Sequence, residues 1–223
     1  MAQLVIKDLP SRLVRAFAER DHAAAMVAGR IRLRSIRYYR EIEDEGRRDS
    51  DESVGRLRVP ADVQRVAIDL DGGLPRDLGA TPGHLNLATE FLDPTYLVCC
   101  SDASAGVSSG IVKFGDFLVD IFNPKGFSEA VLEAAGRSSL GGRGLHFVDA
   151  FPVEYTKGDV GAAPLAGASM RLSYGQKPPS FADEKEFRLA VVVTGGLRDA
   201  PEFIDLTLEN PREYLRHFES PPA

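Results

Sequence analysis

The chain has 223 residues, of which 43% are hydrophobic and 27% are charged, and its formal net charge is −6 at pH 7. This length allows a substantial hydrophobic core, and the composition is that of a folded rather than a disordered protein. No apolar run approaches the roughly 20 residues that span a bilayer, and the N-terminus lacks the basic and apolar regions of a secretory signal. We therefore expect a cytoplasmic protein with no membrane partner.

The only two cysteines, Cys99 and Cys100, are adjacent in an apolar run. Neighbouring residues of a strand point to opposite faces, which disfavours a disulfide between them. The sequence predicts two free, largely buried thiols in a reducing compartment.

Arginine is concentrated in the first 65 residues, whereas the rest of the chain is acidic. An acidic body argues against a protein that coats nucleic acid, but the arginine-rich beginning allows a local anion site. The alternative is that these arginines only form a solvated helix face and strand edges.

The first predicted elements are a strand over Leu13–Phe17 and an Ala-rich helix over 22–28, with Asp21 as its N-cap and Gly29 at its end. The next strand, over 31–36, alternates apolar and basic residues, which predicts one core face and one arginine face. A short helix over 37–44 follows, and then a mobile loop over 44–52.

Most of the remaining chain has the pattern of β-structure. Strands are predicted near 65–70, 84–90, 96–101, 111–121, 145–155, 187–194 and 203–208, with a break in 111–121 at Gly115. Helices are predicted over 128–135, with Ser128 as a possible cap, and over 211–218. We expect one α+β domain over residues 1–223, with a mixed, mostly antiparallel sheet and peripheral helices.

Several common motifs are missing. The four histidines are scattered and no C-x-x-C occurs, so the sequence predicts no metal site of the zinc type. The glycine-rich segment 141–144 lacks the Lys-Ser/Thr of a P-loop, and no G-x-S-x-G elbow is present.

A proline-rich segment near 176–183 leads into the start of an apolar strand and brings acidic residues there. Glu184 and Glu186, at i and i+2, would point to the same face of an extended chain. Two carboxylates at such a position can stabilise a developing cation or position a nucleophile. The alternative is that the acids cap the strand end and pair with Arg188 or another arginine.

Three separate segments together resemble the ADP-ribosyltransferase fold. The strand Leu13–Phe17, the Ala-rich helix and the Gly29-Arg30-Ile31 stretch resemble the strand, helix and G-x-I/L opening of that fold. Glu184-x-Glu186 is similar to its E-x-E element, and Ser101 lies where the family has a Ser/Thr strand. The Arg-Ser-Glu order also resembles uncharacterised bacterial domains of stress and phage-defence loci, which implies a toxin or defence effector.

The resemblance implies a split β-sandwich that holds NAD in a cleft and breaks the bond between nicotinamide and ribose. Arg15 would bind the pyrophosphate with two hydrogen bonds. Ser101 would support the nicotinamide ribose or the catalytic acid. Glu186 would stabilise the oxocarbenium-like transition state, and Glu184 would activate an acceptor. The acceptor would be a protein, a nucleic acid or, in a NAD glycohydrolase, water.

Tyr38 and Tyr39 could stack on nicotinamide or adenine, although adjacent tyrosines at a helix start more often place one ring in the core. The loop acids Asp49 and Asp51 could bind a divalent cation or simply be solvated.

Two other functions stay open on the sequence. A metal-dependent nuclease or phosphohydrolase would need Asp49, Asp51, Glu184 and Glu186 to converge on Mg²⁺. A non-catalytic interaction module would use every one of these charges structurally.

Overall fold

The structure is a computed structural model, and it describes residues 8–41, 54–59, 67–68, 76–77, 85–90, 94–155, 175, 177–193 and 200–218. The helices are α1 (Arg20–Val27), α2 (Ile36–Glu41), α3 (Ser109–Val112) and α4 (Pro124–Gly136). The strands are β1 (Leu13–Phe17), β2 (Arg30–Ser35), β3 (Val54–Val59), β4 (Ala67–Ile68), β5 (Arg76–Asp77), β6 (Leu85–Glu90), β7 (Thr95–Asp102), β8 (Phe117–Ile121), β9 (Ser139–Leu140), β10 (Arg143–Pro152), β11 (Glu186–Val193), β12 (Phe203–Thr207) and β13 (Leu215–His217). Short 3₁₀ turns cover Pro179–Glu184 and Pro211–Glu213.

Nine of these strands form one sheet in the order β13-β8-β1-β7-β11-β10-β9, to which β2 and β12 are attached through β7. Each of its ladders is antiparallel. Two further antiparallel pairs, β3 with β6 and β4 with β5, form separate small sheets. The predicted α+β class with a mostly antiparallel sheet is confirmed.

The sheet is split beside β7. Along one edge, β7 pairs with β11 from Thr95 to Ser101. On the other edge its end at Ser101 and Asp102 pairs with β1, whereas Tyr96 and Leu97 pair with β2. Residues 98–100 therefore have no ladder partner on this edge among the described strands. Because β1 and β2 diverge at this point, the sheet opens into a cleft.

The core lies mainly on one side of this sheet. Alternate residues of β7 and β11, among them Cys100 and Phe187, pack with Met26 of α1 and Phe127 of α4, and all four side chains are almost fully buried. The opposite side of the same strands packs against α2 through a smaller cluster that includes Leu97. Because side chains alternate along a strand, β7 and β11 have a second face that does not pack in the main core.

The arginine face predicted for the second strand is confirmed. In β2, Ile31 and Leu33 are buried, whereas Arg30 and Arg32 are exposed. The helix before it starts at Arg20 rather than after Asp21, and the residue at its N-cap makes no side-chain cap hydrogen bond. Gly29 ends it as predicted, with φ +86°, where a Cβ would lie 2.8 Å from a main-chain oxygen of Leu208.

The predicted strand over 111–121 is correct only in its second half. Ile111 belongs to helix α3 and is fully buried against Val14 and Ala103. Gly115 has φ +144°, and a Cβ there would lie 2.1 Å from the main chain of Phe17. Gly115 therefore allows the chain to approach β1 closely just before β8 begins, and the predicted break lies at the junction of α3 and β8 rather than within one strand.

The two later helix predictions need correction. Helix α4 begins four residues before Ser128, and Asn123 caps it by accepting a hydrogen bond from Gly126 N at 3.1 Å. Ser128 instead donates to the Pro124 carbonyl at 2.9 Å inside the helix. The predicted helix over 211–218 is a 3₁₀ turn followed by β13, because pairing with β8 satisfies the main chain and buries Leu215.

The predicted loop over 44–52 lies outside the described residues, as does most of the strand predicted over 65–70. Within the described part of the chain, no helix has both the length and the apolarity needed to cross a membrane.

Candidate functional site

A cavity of about 500 Å³ opens at the split in the sheet. All six residues singled out in the sequence line it. They come from β1, α2, β7, the 3₁₀ turn before β11, and β11 itself: Arg15, Tyr38, Tyr39, Ser101, Glu184 and Glu186. The volume is within the range of small-molecule sites, about 300–1,000 Å³.

Arginines line the cavity on the β1 and β2 side. The guanidinium of Arg15 donates a hydrogen bond to the main-chain carbonyl of Arg32 at 3.3 Å, across the gap between the two strands. Arg32 itself binds Asp205 with two hydrogen bonds, at 2.8 and 2.9 Å. Arg15 and Arg30 have no carboxylate partner among the described residues, so this wall can accept an anion.

The two tyrosines differ in their surroundings. Tyr38 and Tyr39 meet edge to face, with ring centroids 5.5 Å apart. Tyr38 stacks with Arg34, whose guanidinium carbon is 4.3 Å from the ring centroid, whereas Tyr39 packs against the cluster around Leu97. One ring therefore does contribute to packing, as the alternative interpretation expected, while both line the cavity.

Cross-strand pairing places the polar residues of β7 and β11 together. Ser101 is directly opposite Glu186, and Cys99 is directly opposite Arg188. The side chains of such pairs project from the same face of the sheet, here the face that borders the cavity. Asp102 N donates to the carbonyl of Lys185, just before β11, and the Pro94 carbonyl accepts from Val193 N in β11. Because hydrogen-bonded residues alternate along an antiparallel strand, the N–H and C=O of Cys99, at an odd offset from both, point away from β11.

The chain around Glu184 is not extended, contrary to the sequence prediction. Glu184 ends a 3₁₀ turn, Lys185 has the left-handed values φ 45° and ψ 47°, and Glu186 begins β11. A non-glycine residue at positive φ is uncommon, and here it turns the chain so that both carboxylates line the same cavity. The expected convergence is present, but its cause is this turn rather than strand alternation.

The two glutamates belong to a buried ion network. Lys177 Nζ lies 2.8 Å from Glu184 Oε2 and 2.9 Å from Glu186 Oε2. Arg188, only 1% exposed, donates to both oxygens of Glu186 at 2.8 and 3.2 Å. Lys113 Nζ lies 2.9 Å from Glu184 Oε1. The expected pairing of the acids with Arg188 is thus present for Glu186, and the pair is buried rather than exposed.

These cations decide the charge of Glu186. Burial alone would raise the pKa of its carboxyl group, but the charges of Arg188 and Lys177 outweigh burial and hold the pKa well below its ordinary value. Glu186 is therefore ionised at neutral pH. An ionised carboxylate can stabilise a cation but has no proton to give as a general acid.

Cys99 links Glu186 to α2. The Cys99 thiol lies close enough to the Tyr39 hydroxyl and to the Glu186 carboxylate for both groups to influence its pKa. Both cysteines are free, as predicted, and Cys100 is buried in the main core while Cys99 is only partly buried. Burial raises the pKa of each thiol, to about 12 for Cys100.

Sequence reasoning missed the roles of Lys177 and Lys113, as well as that of Tyr155, whose hydroxyl accepts from Glu186 N at 2.6 Å. Lys177 stands at the start of the acidic segment, and a lysine that precedes two prolines near paired acids was the available signal. Lys113 gave no signal, because only the fold brings α3 next to this turn.

The metal-dependent alternative gains no support from the described residues. They contain no group of three or more His, Cys, Asp or Glu side chains that could hold a metal ion. Glu184 and Glu186 contact cationic side chains, and Asp49 and Asp51 lie outside the described residues.

Comparisons with protein-family models, with curated proteins and with solved structures found no match.

Proposed function

We propose that this chain is an enzyme that consumes NAD, breaks the bond between nicotinamide and ribose, and transfers ADP-ribose to a protein or nucleic-acid acceptor or to water. One observation carries the proposal: Arg15 and Glu186 lie on the two strands that flank β7 and line one cavity. NAD has the matching chemistry, since its pyrophosphate is anionic and its nicotinamide ring is cationic.

The arginine wall suits the pyrophosphate. A guanidinium can give two parallel hydrogen bonds to phosphate oxygens, and Arg15 and Arg30 have no carboxylate partner in the described part of the chain. The rings of Tyr38 and Tyr39 offer stacking surfaces for a planar heterocycle at the same cavity. The ligand would thus lie with its phosphates toward β2 and its nicotinamide toward β11.

Glu186 can stabilise the positive charge that develops during the reaction. As the C–N bond to ribose breaks, nicotinamide leaves with the bonding electron pair and positive charge develops on the ribose. An ionised carboxylate that is already fixed in position stabilises this charge without reorganisation. Water or an acceptor nucleophile then bonds to the ribose carbon and releases a proton. In this scheme Ser101 orients the ribose or Glu186, and Glu184 assists the acceptor.

The test is the release of nicotinamide from NAD by the purified chain, measured by chromatography with and without Mg²⁺ and candidate acceptors. Glu186→Gln should lower the rate by about 10²–10³-fold, because it removes the charge that the transition state requires. Glu129→Gln, on the exposed side of α4, is the matched control and should leave the rate unchanged.

The alternatives predict different outcomes. If wild-type protein neither binds nor turns over NAD under any of these conditions, the interaction module becomes the better interpretation. Hydrolysis of a nucleic acid or phosphoester that requires Mg²⁺ would instead favour the metal-dependent enzyme.

A further inference from the structure

Lys177 is a third cation beside Glu184 and Glu186, each of which already has another cationic partner. Without it, Glu186 keeps the forked contact with Arg188, and Glu184 keeps Lys113 at 2.9 Å. Removing one partner of a buried ion pair is costly when it leaves a charge uncompensated. Here each carboxylate would retain a cationic partner, so compensation of their charge does not explain why a third cation is buried at this position.

The three cations also differ in where they lie. Arg188, which is 1% exposed, and Lys113 are not among the residues that line the cavity, whereas Lys177 lines it. The Lys177 ammonium bridges Glu184 and Glu186 from the cavity side, within 2.9 Å of both. It therefore occupies a place from which a cation in the cavity contacts both carboxylates at once.

Two further observations show that this place favours a cation. The Phe181 ring centroid is 5.0 Å from Lys177 Nζ, which adds the attraction of an aromatic face. Glu184 Oε1 is buried and accepts no hydrogen bond from the described residues, and its ion-pair partner there is Lys113 Nζ at 2.9 Å. That oxygen keeps unused acceptor capacity for a second cationic partner.

The main chain of Lys177 is anchored, whereas its side chain is long and has several rotatable bonds. Its N–H donates to the Glu154 carbonyl at 3.0 Å, beside the end of β10. A rotamer change can therefore withdraw the ammonium group without moving the segment.

We propose that the Glu184–Glu186 pair is a binding site for an organic cation, and that the Lys177 ammonium occupies this site in the resting protein and competes with the ligand for it. Given the proposed NAD-consuming function, on which this part rests, the competing group is the cationic nicotinamide ring. Binding of that ring then requires the Lys177 side chain to leave.

The first experiment compares NAD⁺ with NADH, which differ only in the nicotinamide ring: the ring is cationic and aromatic in NAD⁺, and neutral and reduced in NADH. Calorimetric titrations would use the wild type, Lys177→Met and, as matched control, Lys125→Met on exposed α4. Lys177→Met should bind NAD⁺ about tenfold more tightly than the wild type, because the competing ammonium group is absent. The affinity of the variant for NADH should differ little from that of the wild type. Equal shifts for both ligands, or weaker NAD⁺ binding, would overturn the proposal.

The second experiment does not depend on NAD. Lys177→Ala leaves the shape of a propylammonium ion vacant beside the two carboxylates. Propylammonium should raise the melting temperature of this variant and leave the wild type and Lys125→Ala unaffected, and the neutral 1-propanol should have no such effect. If propylammonium stabilises all three proteins equally, no cation site exists there.

The outcomes separate the two proposals. Rescue by propylammonium without binding of either dinucleotide would retain the cation site and reject NAD as its ligand. Binding of NAD⁺ with no change in Lys177→Met would retain the proposed function and reject the role of Lys177. Failure of Lys177→Met to fold would show that the lysine is needed for structure and would overturn the inference.

Discussion

The guanidinium of Arg15 reaches from β1 to the main-chain carbonyl of Arg32 in β2, at 3.3 Å, and so spans the gap where these strands diverge. The same side chain lies near Phe17, with its guanidinium carbon 5.2 Å from the ring centroid. Among the described residues, the partners of Arg15 are therefore all neutral, and its charge remains available to a ligand in the cavity.

Arg15→Ala should weaken NAD binding by about tenfold to a hundredfold, because a charge-assisted hydrogen bond to phosphate contributes roughly 1.5–3 kcal/mol. The melting temperature should change little, because the lost bond to Arg32 is a single exposed one. Binding would be measured by calorimetry, with Arg137→Ala at the C-cap of α4 as the control. Unchanged affinity would exclude Arg15 as a phosphate ligand.

Glu186→Gln should also destabilise the fold, by about 3 kcal/mol at neutral pH, since it leaves buried Arg188 without its carboxylate. An exposed ion pair would contribute less than about 1 kcal/mol, so a loss of this size distinguishes a buried pair from an exposed one. Urea unfolding monitored by circular dichroism measures the difference. A loss well below 1 kcal/mol would mean that the buried network does not stabilise the protein.

The stability difference between wild type and Glu186→Gln should depend on pH. The pKa of Glu186 is lower in the folded protein than in the unfolded chain, where it is about 4.3. Its stabilising contribution is therefore fully present above that value and is lost as the pH falls toward the folded-state pKa. Urea titrations should show a smaller difference in the free energy of unfolding between wild type and Glu186→Gln at pH 3 than at pH 7. A difference of constant size would contradict the assigned charge state.

Asp120 provides a stability test away from the cavity. Its buried carboxylate binds Arg12 and Arg216 at 2.7–2.9 Å. Asp120→Asn should cost about 1–2 kcal/mol, because both arginines are partly exposed and solvent weakens their contribution. NAD affinity in the folded variant should equal that of the wild type. A selective loss of affinity at unchanged stability would instead connect Asp120 to the ligand.

Both thiols should react slowly with a disulfide reagent at pH 8. Burial raises the pKa of Cys100 to about 12 and raises that of Cys99 as well, so little thiolate is present. Cys99 should react faster than Cys100, because Cys99 is only partly buried whereas Cys100 is buried. Both cysteines line the cavity, so a bound ligand should protect Cys99 from the reagent. Mass spectrometry of the labelled peptide assigns each site. Rapid labelling of both in the native protein would disprove their burial.

The sequence predicted those strands in which the spacing of apolar residues directly indicates which side chains are buried. Alternation in β2 identified its two faces, and the apolar runs near 96–101 and 187–194 identified β7 and β11 as strands. It failed where the partner decides the structure. Leu215 follows a turn and has a pattern compatible with helix or strand, and only the free edge of β8 selects the strand. Periodicity records which side chains are buried, not which edge is available.

The candidate site shows the same limit. The resemblance to a known fold selected Arg15, Ser101 and Glu186 from the sequence, and all three line one cavity. The partners of Glu186 were found only in part. Arg188 follows it at i+2 and was expected, whereas Lys177 reaches it through a turn with an unusual left-handed residue, which no local pattern predicts.

The split in the sheet also has a kinetic consequence. Strands β1 and β2 and the helix between them are consecutive, whereas β7 and β11 come from much later in the chain, so the cavity exists only after long-range pairing is complete. A ligand of the cavity therefore has nothing to bind in the unfolded chain. It should slow unfolding in proportion to its occupancy and leave the folding rate almost unchanged.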